Sequence, residues 1–301
     1  MQIQHTIEVE APLQDVAEAL LPGEGAQIVA RGGAWLNGRR VADPATSCMP
    51  GQTLVLRRPP AGGYREVDLV VSDILYEDAW LIAINKRLGW YVNAIPWDAQ
   101  GNVLAALQRY LRARDGVVPP LHLAHQLDRD TSGVLLLSRA PTINPTLTAA
   151  FAGGHVAKTY TCLVAGVPAA SGEVRSGHGR SANGLWRTYP LEEVGRELPS
   201  GGGRVKFAHT SYMIERILND AAQVQCTPHT GRTHQIRLHM AMLGHPLLGD
   251  TRYAGPGEYA GITLPGHLLH AARLRLVHPH TQELLEITSP LPDLLQRLLT
   301  P

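Results

Sequence analysis

The chain has 301 residues and 32.6 kDa, with 44% hydrophobic residues, 18% charged residues and a formal net charge of +1. Such a composition excludes an intrinsically disordered chain, and at roughly 100–200 residues per domain the length favours two domains. The longest uncharged stretch, residues 140–157, is broken by Pro141, Pro145, Gly153 and Gly154, so no membrane span of about 18 or more apolar residues is expected.

In chain order, residues 13–21 carry apolar side chains at helical spacing. Residues 34–41 read as a hairpin turning at Asn37-Gly38, and residues 52–56 as a strand entered through Pro50-Gly51. This compact unit, residues 1–60, ends at a Pro- and Gly-rich linker over residues 61–66, and the second domain is expected over residues 67–301. There, residues 67–76 and 80–85 read as strands around a turn at Glu77-Asp78, residues 101–112 as a helix, and residues 134–138 as a buried strand. Residues 159–165 and 222–227 are further strands, residues 233–243 a helix, and the Gly-, Ser- and Arg-rich residues 171–203 an exposed excursion. The expected class is α+β: a large mixed, mainly antiparallel sheet with flanking helices, plus a small N-terminal α+β domain.

The N-terminal residues lack the basic and apolar regions of a signal peptide, and Cys48, Cys162 and Cys226 form no C-x-x-C pair; a reducing cytoplasm is the expected compartment. The basic residues are 24 Arg and 3 Lys, and between Arg31 and Arg65 six arginines face one acid, Asp43. A local arginine patch suits bidentate contacts to phosphate, although a solvated face accounts for it equally well.

Three segments carry chemistry. In residues 122–133, Asp128 lies between Leu127 and a polar turn (Thr131-Ser132-Gly133) leading into an apolar strand, where partial burial and a cationic partner fix a carboxylate's protonation state. An Asx-turn or helix cap is the commoner role of such an aspartate. His122, His125 and Asp128, spaced three apart, invite a metal reading, but no fourth ligand is placed and a structural histidine fits each better. In Lys158-Thr159-Tyr160, the tyrosine is either a core aromatic or a ring that stacks on a base. Residues 230–239 place Gly231, Arg232 and Thr233 at a helix start, a source of donors for phosphate. Arg232 and Arg237 lie about 140° apart around a helix, so one can face phosphate and the other an interior acid.

Together these segments resemble the RluA-type RNA pseudouridine synthases. The family's H-R-L-D-x-x-T-S-G signature is matched by residues 125–133, its K-x-Y segment by Lys158, Tyr160 and Gly166, and its T-G-R-T-H-Q-I-R signature by residues 230–237. Residues 244–250 with Tyr253 are similar to its G-H-P-I-x-G-D-x-x-Y motif. His270-Ala271 with His278-Pro279, and residues 75–78 with Asn85-Lys86, continue the likeness over about Ile74 to Leu298. Residues 36–38 and 50–52 more faintly resemble a small ribosomal-type RNA-binding domain.

The resemblance implies conversion of specific uridines in structured RNA, ribosomal or transfer, to pseudouridine: the glycosidic bond breaks, the base turns, and it rejoins the ribose through carbon 5. It implies Asp128, Tyr160 and Arg237 as catalytic residues, and His125, Gln126, Arg129, Thr131, Arg232, Thr233 and His234 as substrate-binding residues. No cofactor, no metal, no membrane and no obligatory protein partner are implied, and a monomer is the expected state. Two positions depart from the family pattern: Gln126 stands where the family has Arg, and Arg87 where it has Pro. The first leaves an alternative, an RNA-binding protein of the same fold with weak or lost turnover.

Overall fold

The computed structural model describes residues 2–60, 63–198 and 203–300. Its contacts fall into two compact units, Met1–Val70 with Trp90–Val118, and Val71–Gly89 with Pro119–Pro301. The helix expected over residues 101–112 is thus grouped with the N-terminal residues; part of the expected linker, residues 61–62, lies outside the described residues.

The first unit holds β1 (Gln2–Thr6), β2 (Ala11–Pro12), α1 (Leu13–Leu20), α2 (Gly25–Ala30), β3 (Ala34–Leu36), β4 (Arg39–Val41), β5 (Ser47–Cys48), β6 (Thr53–Arg57) and α3 (Val103–Asp115). Four strands pair antiparallel in the order β1-β6-β3-β4, with β3 and β4 joined by the expected Asn37-Gly38 turn. Alternation along β6 sends Leu54 and Leu56 inward, where they meet Leu13 and Ala17 of α1 and Ile28 of α2 in one cluster. The Asn102 side chain caps α3 by accepting from the Ala105 amide at 3.0 Å. Buried Asp98 accepts from Arg31 Nε at 3.1 Å and Nη2 at 2.6 Å.

The second unit is built on an eleven-stranded sheet. Its strands are β7 (Ile74–Glu77), β8 (Leu81–Lys86), β9 (His122–Leu123), β10 (Thr131–Ser138), β11 (Ala157–Ala165), β12 (Ser171–Arg180), β13 (Trp186–Tyr189), β14 (Lys206–Ile217), β15 (Ala221–Pro228), β18 (Leu269–Val277) and β19 (Leu284–Thr288), with a separate two-stranded ribbon of β16 (Glu258–Tyr259) and β17 (Ile262–Thr263). The main path runs β13-β12-β14-β15-β11-β18-β10-β8-β7, antiparallel except where β10 meets β18. Helices α4 (Asn144–Ala152), α5 (Gln235–Met242) and α6 (Asp293–Leu299) flank it. Ile236 and Met240 of α5 bury against Cys162, Val224 and Cys226, whereas Leu147 of α4 packs in a different cluster with Val134 and Leu136. The mixed α+β class expected from the sequence is the class observed.

Two elements differ from expectation. Residues 67–73 form no strand: Val67 and Leu69 alternate into burial, yet the sheet starts only at Ile74. Alternation reports burial rather than pairing, and the two separate here. Of the excursion expected over residues 171–203, the first part is instead a hairpin: β12 pairs with both β14 and β13, and Ser176 and His178 are buried, while residues 199–202 lie outside the described residues. The glycines there allow close packing: a Cβ on Gly177 would sit 2.6 Å from Val205 Cγ1. Gly133 does the same for the parallel pair; its φ is +108° and a Cβ would lie 2.3 Å from the Ala271 carbonyl oxygen.

Candidate active site

Asp128 sits in the turn that feeds β10, closed by the Thr131 amide donating to the Asp128 carbonyl at 3.1 Å. Two main-chain ties brace this turn from β8 and the residues that follow it. Lys86, with no exposed surface, donates to the carbonyls of Arg129 and Thr131 at 2.7 Å each, and the Gly89 amide donates to the Arg129 carbonyl at 3.0 Å. Burial pulls the Lys86 ammonium down to about 7, against the charges of Asp130 and Asp128.

The carboxylate of Asp128 remains about a quarter exposed and accepts from Arg237 Nη1 at 2.9 Å. The same guanidinium donates from Nε and Nη2 to both oxygens of buried Asp250, at 2.6 and 2.9 Å. One arginine on the first turn of α5 therefore serves two acids. Burial opposes its charge, but hydrogen bonding with Asp250 and the charges of both acids outweigh it, and its pKa is raised. The Tyr253 ring lies 5.0 Å from the guanidinium carbon.

His234 precedes α5 with a left-handed φ of 59°, and its Nδ1 is 2.7 Å from the Tyr253 hydroxyl. Its Nε2 is 3.8 Å from Asp128, beyond hydrogen-bond distance. Burial pulls this imidazole down to about 4 despite the Asp128 charge, so it is neutral near pH 7. Tyr160 of β11 faces the same space, and burial, then the Asp128 charge, push its phenol well above the usual range. The ring keeps its proton at neutral pH.

Asp128, Tyr160, His234 and Arg237 line a cavity of about 460 Å³, within the size range of small-molecule sites. Of the residues singled out from the sequence, Asp128, Tyr160, Arg237, His125, Gln126, Thr131, Arg232, Thr233 and His234 all line it. Arg129 does not; its guanidinium pairs with Asp130 at 2.7 Å through both Nε and Nη2. His125 stacks on Phe151 and accepts from the Leu136 amide through Nε2 at 2.9 Å, while burial drives its pKa down to about 3. His122 Nε2 is instead 3.3 Å from Thr148 Oγ1, so His122, His125 and Asp128 do not converge; among the described residues no His, Cys, Asp and Glu side chains gather as a metal site.

Three supporting residues escaped sequence reasoning. Lys86 and Asp250 fell inside resembling motifs, but nothing in their spacing shows that one braces the Asp128 turn and the other shares its arginine. Gln235 accepts from Thr230 Oγ1 and the Arg232 amide at 2.6 and 3.1 Å, and donates to the His209 carbonyl and Thr210 Oγ1 at 2.9 Å each, pinning the 230–234 loop to β14.

A pH prediction follows from the buried imidazoles. His125 lies near 3 and His234, His239 and His267 near 4, each lowered first by burial from 6.5. Unfolded, they take up protons below about pH 6.5; folded, they resist until about pH 4. Their contribution to stability is whole above 6.5 and is lost as the pH falls toward 4. Urea unfolding at about pH 7.5 and about pH 5 is expected to show the lower midpoint at the acid value. A midpoint that rises on acidification contradicts this reading.

A single carboxylate charge-matched by a buried guanidinium, beside an aromatic wall on a mixed sheet, defines a site able to act on a planar base. Residues 81–242, more than half of the chain, match the family model for RNA pseudouridylate synthase. The chain is 34% identical to RNA pseudouridine synthase 1 of Oryza sativa subsp. japonica, covering 79% of this chain and 78% of that protein. It is 31% identical to ribosomal large subunit pseudouridine synthase D of Vibrio parahaemolyticus, covering 86% and 79%. Among solved structures, human RNA pseudouridylate synthase domain containing 4 superposes with a TM-score of 0.62 at 25% identity, covering 76% of this chain and 92% of that one. The chain belongs to the RNA pseudouridylate synthase family, and is an isomerase that converts uridine in RNA to pseudouridine.

Proposed function

We propose that Asp128 is the catalytic carboxylate, acting on a uridine drawn out of ribosomal RNA into this cavity, and that the protein works as a cytoplasmic monomer. The observation that carries the reading is the pairing of Asp128 with buried Arg237 at 2.9 Å in the wall of that cavity. The bond from ribose carbon 1′ to N1 breaks, carbon 1′ bonds to carbon 5, the carbon 5 proton leaves and N1 gains one. The balance needs no oxidant or co-reactant. An ionised carboxylate serves this as nucleophile or as proton acceptor, and the guanidinium beside it favours the ionised form.

Tyr160 offers its ring to the displaced base, and its protonated hydroxyl moves a proton only by passing its own onward. Tyr160→Phe is therefore expected to keep RNA affinity and to slow product formation by about 10²-fold or more, with a stalled adduct to look for in single-turnover gels. Unchanged kinetics would take the hydroxyl out of the chemistry.

Ribosomal RNA is favoured over transfer RNA because relatives such as the Vibrio protein carry that substrate in their names. Unstacking a base costs a few kcal/mol in a paired region, so a loop or weakly paired uridine is the expected target. The arginines between Arg31 and Arg65 supply a second, sequence-independent hold on RNA. Gln126 in the cavity wall is able to hydrogen-bond to an unpaired base edge without adding charge. With Asp128, Tyr160 and Arg237 brought together, an RNA binder without turnover is not favoured.

The test is to incubate the protein with total RNA from a strain lacking its gene and to map pseudouridine. New sites in ribosomal RNA with wild type, and none with Asp128→Asn, are expected. New sites confined to transfer RNA would move the substrate assignment, and an undiminished site with the variant would overturn the role of Asp128.

A further inference from the structure

One charge on the cavity wall is not answered by the protein. Lys158 of β11 lines the cavity, and among the described residues its ammonium has no hydrogen bond and no ion pair. Burial lowers its pKa, so leaving it without an anion is costly. Across the gap lies Gly231, exposed and without a side chain; a Cβ built there would meet nothing nearer than Lys158 Nζ, at 3.7 Å. The next residue, Arg232, spends its Nε on the Phe207 carbonyl at 2.9 Å, and its Nη groups have no acceptor among the described residues. Burial lowers the pKa of this guanidinium too. Two cations without an acidic partner among the described residues, and an open stretch of main chain beside one of them, thus line the same cavity. No carboxylate among the lining residues other than Asp128 is there to balance them, and Asp128 is committed to Arg237.

Position along the strand says what the anion is. Lys158 and Tyr160 are two residues apart on β11 and both line the cavity, although a register shift falls between Thr159 and Tyr160. Two residues of strand span about 6.6 Å. A nucleotide whose base lies on Tyr160 places its own backbone phosphate one sugar away from that ring. We infer that Lys158, Arg232 and the Gly231 main chain form a phosphate subsite holding a backbone phosphate next to the displaced uridine. The inference rests on the reading of this cavity as the uridine site and adds a backbone contact inside it.

The experiment uses the full chain and the RNA fragment around a uridine that the wild type modifies. Lys158→Met keeps the length and apolar stem of the side chain; Lys158→Arg keeps the charge and shows whether folding tolerates change here. With Lys158→Met, RNA affinity and KM are expected to weaken about tenfold, with kcat within about threefold of wild type. The slope of log affinity against log salt should fall by about 0.7 to 0.9, the share of one phosphate, and Lys158→Arg should restore most of both. In the second arm, a methylphosphonate replaces the phosphate on either side of the target uridine. One of the two substitutions should cost the wild type a similar factor and cost Lys158→Met nothing further. A Lys158→Met variant that loses kcat at unchanged KM assigns the ammonium to the base or to proton transfer and overturns the subsite. So does an unchanged salt slope, or methylphosphonate penalties equal in both proteins. A wild type that modifies no uridine in any RNA overturns the parent reading and the subsite with it, whereas a modifying wild type with an indifferent Lys158 overturns the subsite alone.

Discussion

Asp128→Asn is expected to lower the rate of pseudouridine formation by about 10³-fold or more, equivalent to about 4 kcal/mol of lost transition-state stabilisation, while RNA affinity changes little. The change is nearly isosteric. Asparagine retains an oxygen to accept from Arg237 Nη1, and the guanidinium keeps both bonds to Asp250, so the 237–250 pair stays assembled. What disappears is the negative charge, the property that lets an oxygen attack carbon 1′ or take a proton. Because about a quarter of the Asp128 side chain is solvent-exposed, the substitution leaves no large buried charge unbalanced, and the melting temperature should move by only a few degrees. Single-turnover assays on a mapped RNA fragment, with affinity measured in parallel, check the split. A variant within about tenfold of the wild-type rate would show that the carboxylate charge is not what drives the reaction.

Arg237→Met is expected to fail in two separable ways. Turnover should drop by at least about 10²-fold, because the cation that favours ionised Asp128 is gone. Stability should drop as well, by about 3–5 kcal/mol, because Asp250 is only 2% exposed and loses both guanidinium bonds at once. The double variant Arg237→Met with Asp250→Asn separates these effects. Neutralising the orphaned acid should recover a large part of the lost stability and none of the lost rate. If the double variant regains turnover along with stability, Arg237 matters only as a structural pin. If neither single variant destabilises the chain, the two-acid arrangement is not the energetic feature its burial indicates.

The sequence displayed the chemistry better than its support. Asp128, Tyr160 and Arg237 lie in segments dense enough in polar residues to stand out. Arg237 does face interior acids, but Arg232 lies ahead of α5 rather than on it, so the 140° helical separation expected between the two is not what gives them different partners. The supports were hidden for different reasons: Lys86 acts on carbonyls more than 40 residues away, and Asp250 is a lone acid in a glycine-rich stretch. Arg87, a departure of no evident meaning in sequence, turns out to pair with buried Asp73 at 2.9 Å. In the fold, β6, β10 and α5 were readable because alternation, continuous burial and helical spacing coincided with real elements. The hairpin of β12 and β13 was not readable, because glycines that permit close packing carry the same composition as a loop. The grouping of α3 with the N-terminal residues was equally out of reach, since its amphipathic spacing marks a buried face and says nothing of which unit buries it.

The bracing of the Asp128 turn has a consequence for how targets are chosen. The main chain that follows Asp128 is held by Lys86 at the Arg129 and Thr131 carbonyls, the Gly89 amide shares the Arg129 carbonyl, and the carboxylate is held by Arg237. A group anchored at so many points does not travel to meet a nucleotide. The deformation needed for reaction must then be borne by the polynucleotide, and its cost varies with the stacking and pairing around each uridine. Two uridines offering the same chemical face would be modified at different rates because one strand bends open more cheaply than the other. Discrimination among sites is in this sense written in the mechanics of the RNA, against a protein that holds still.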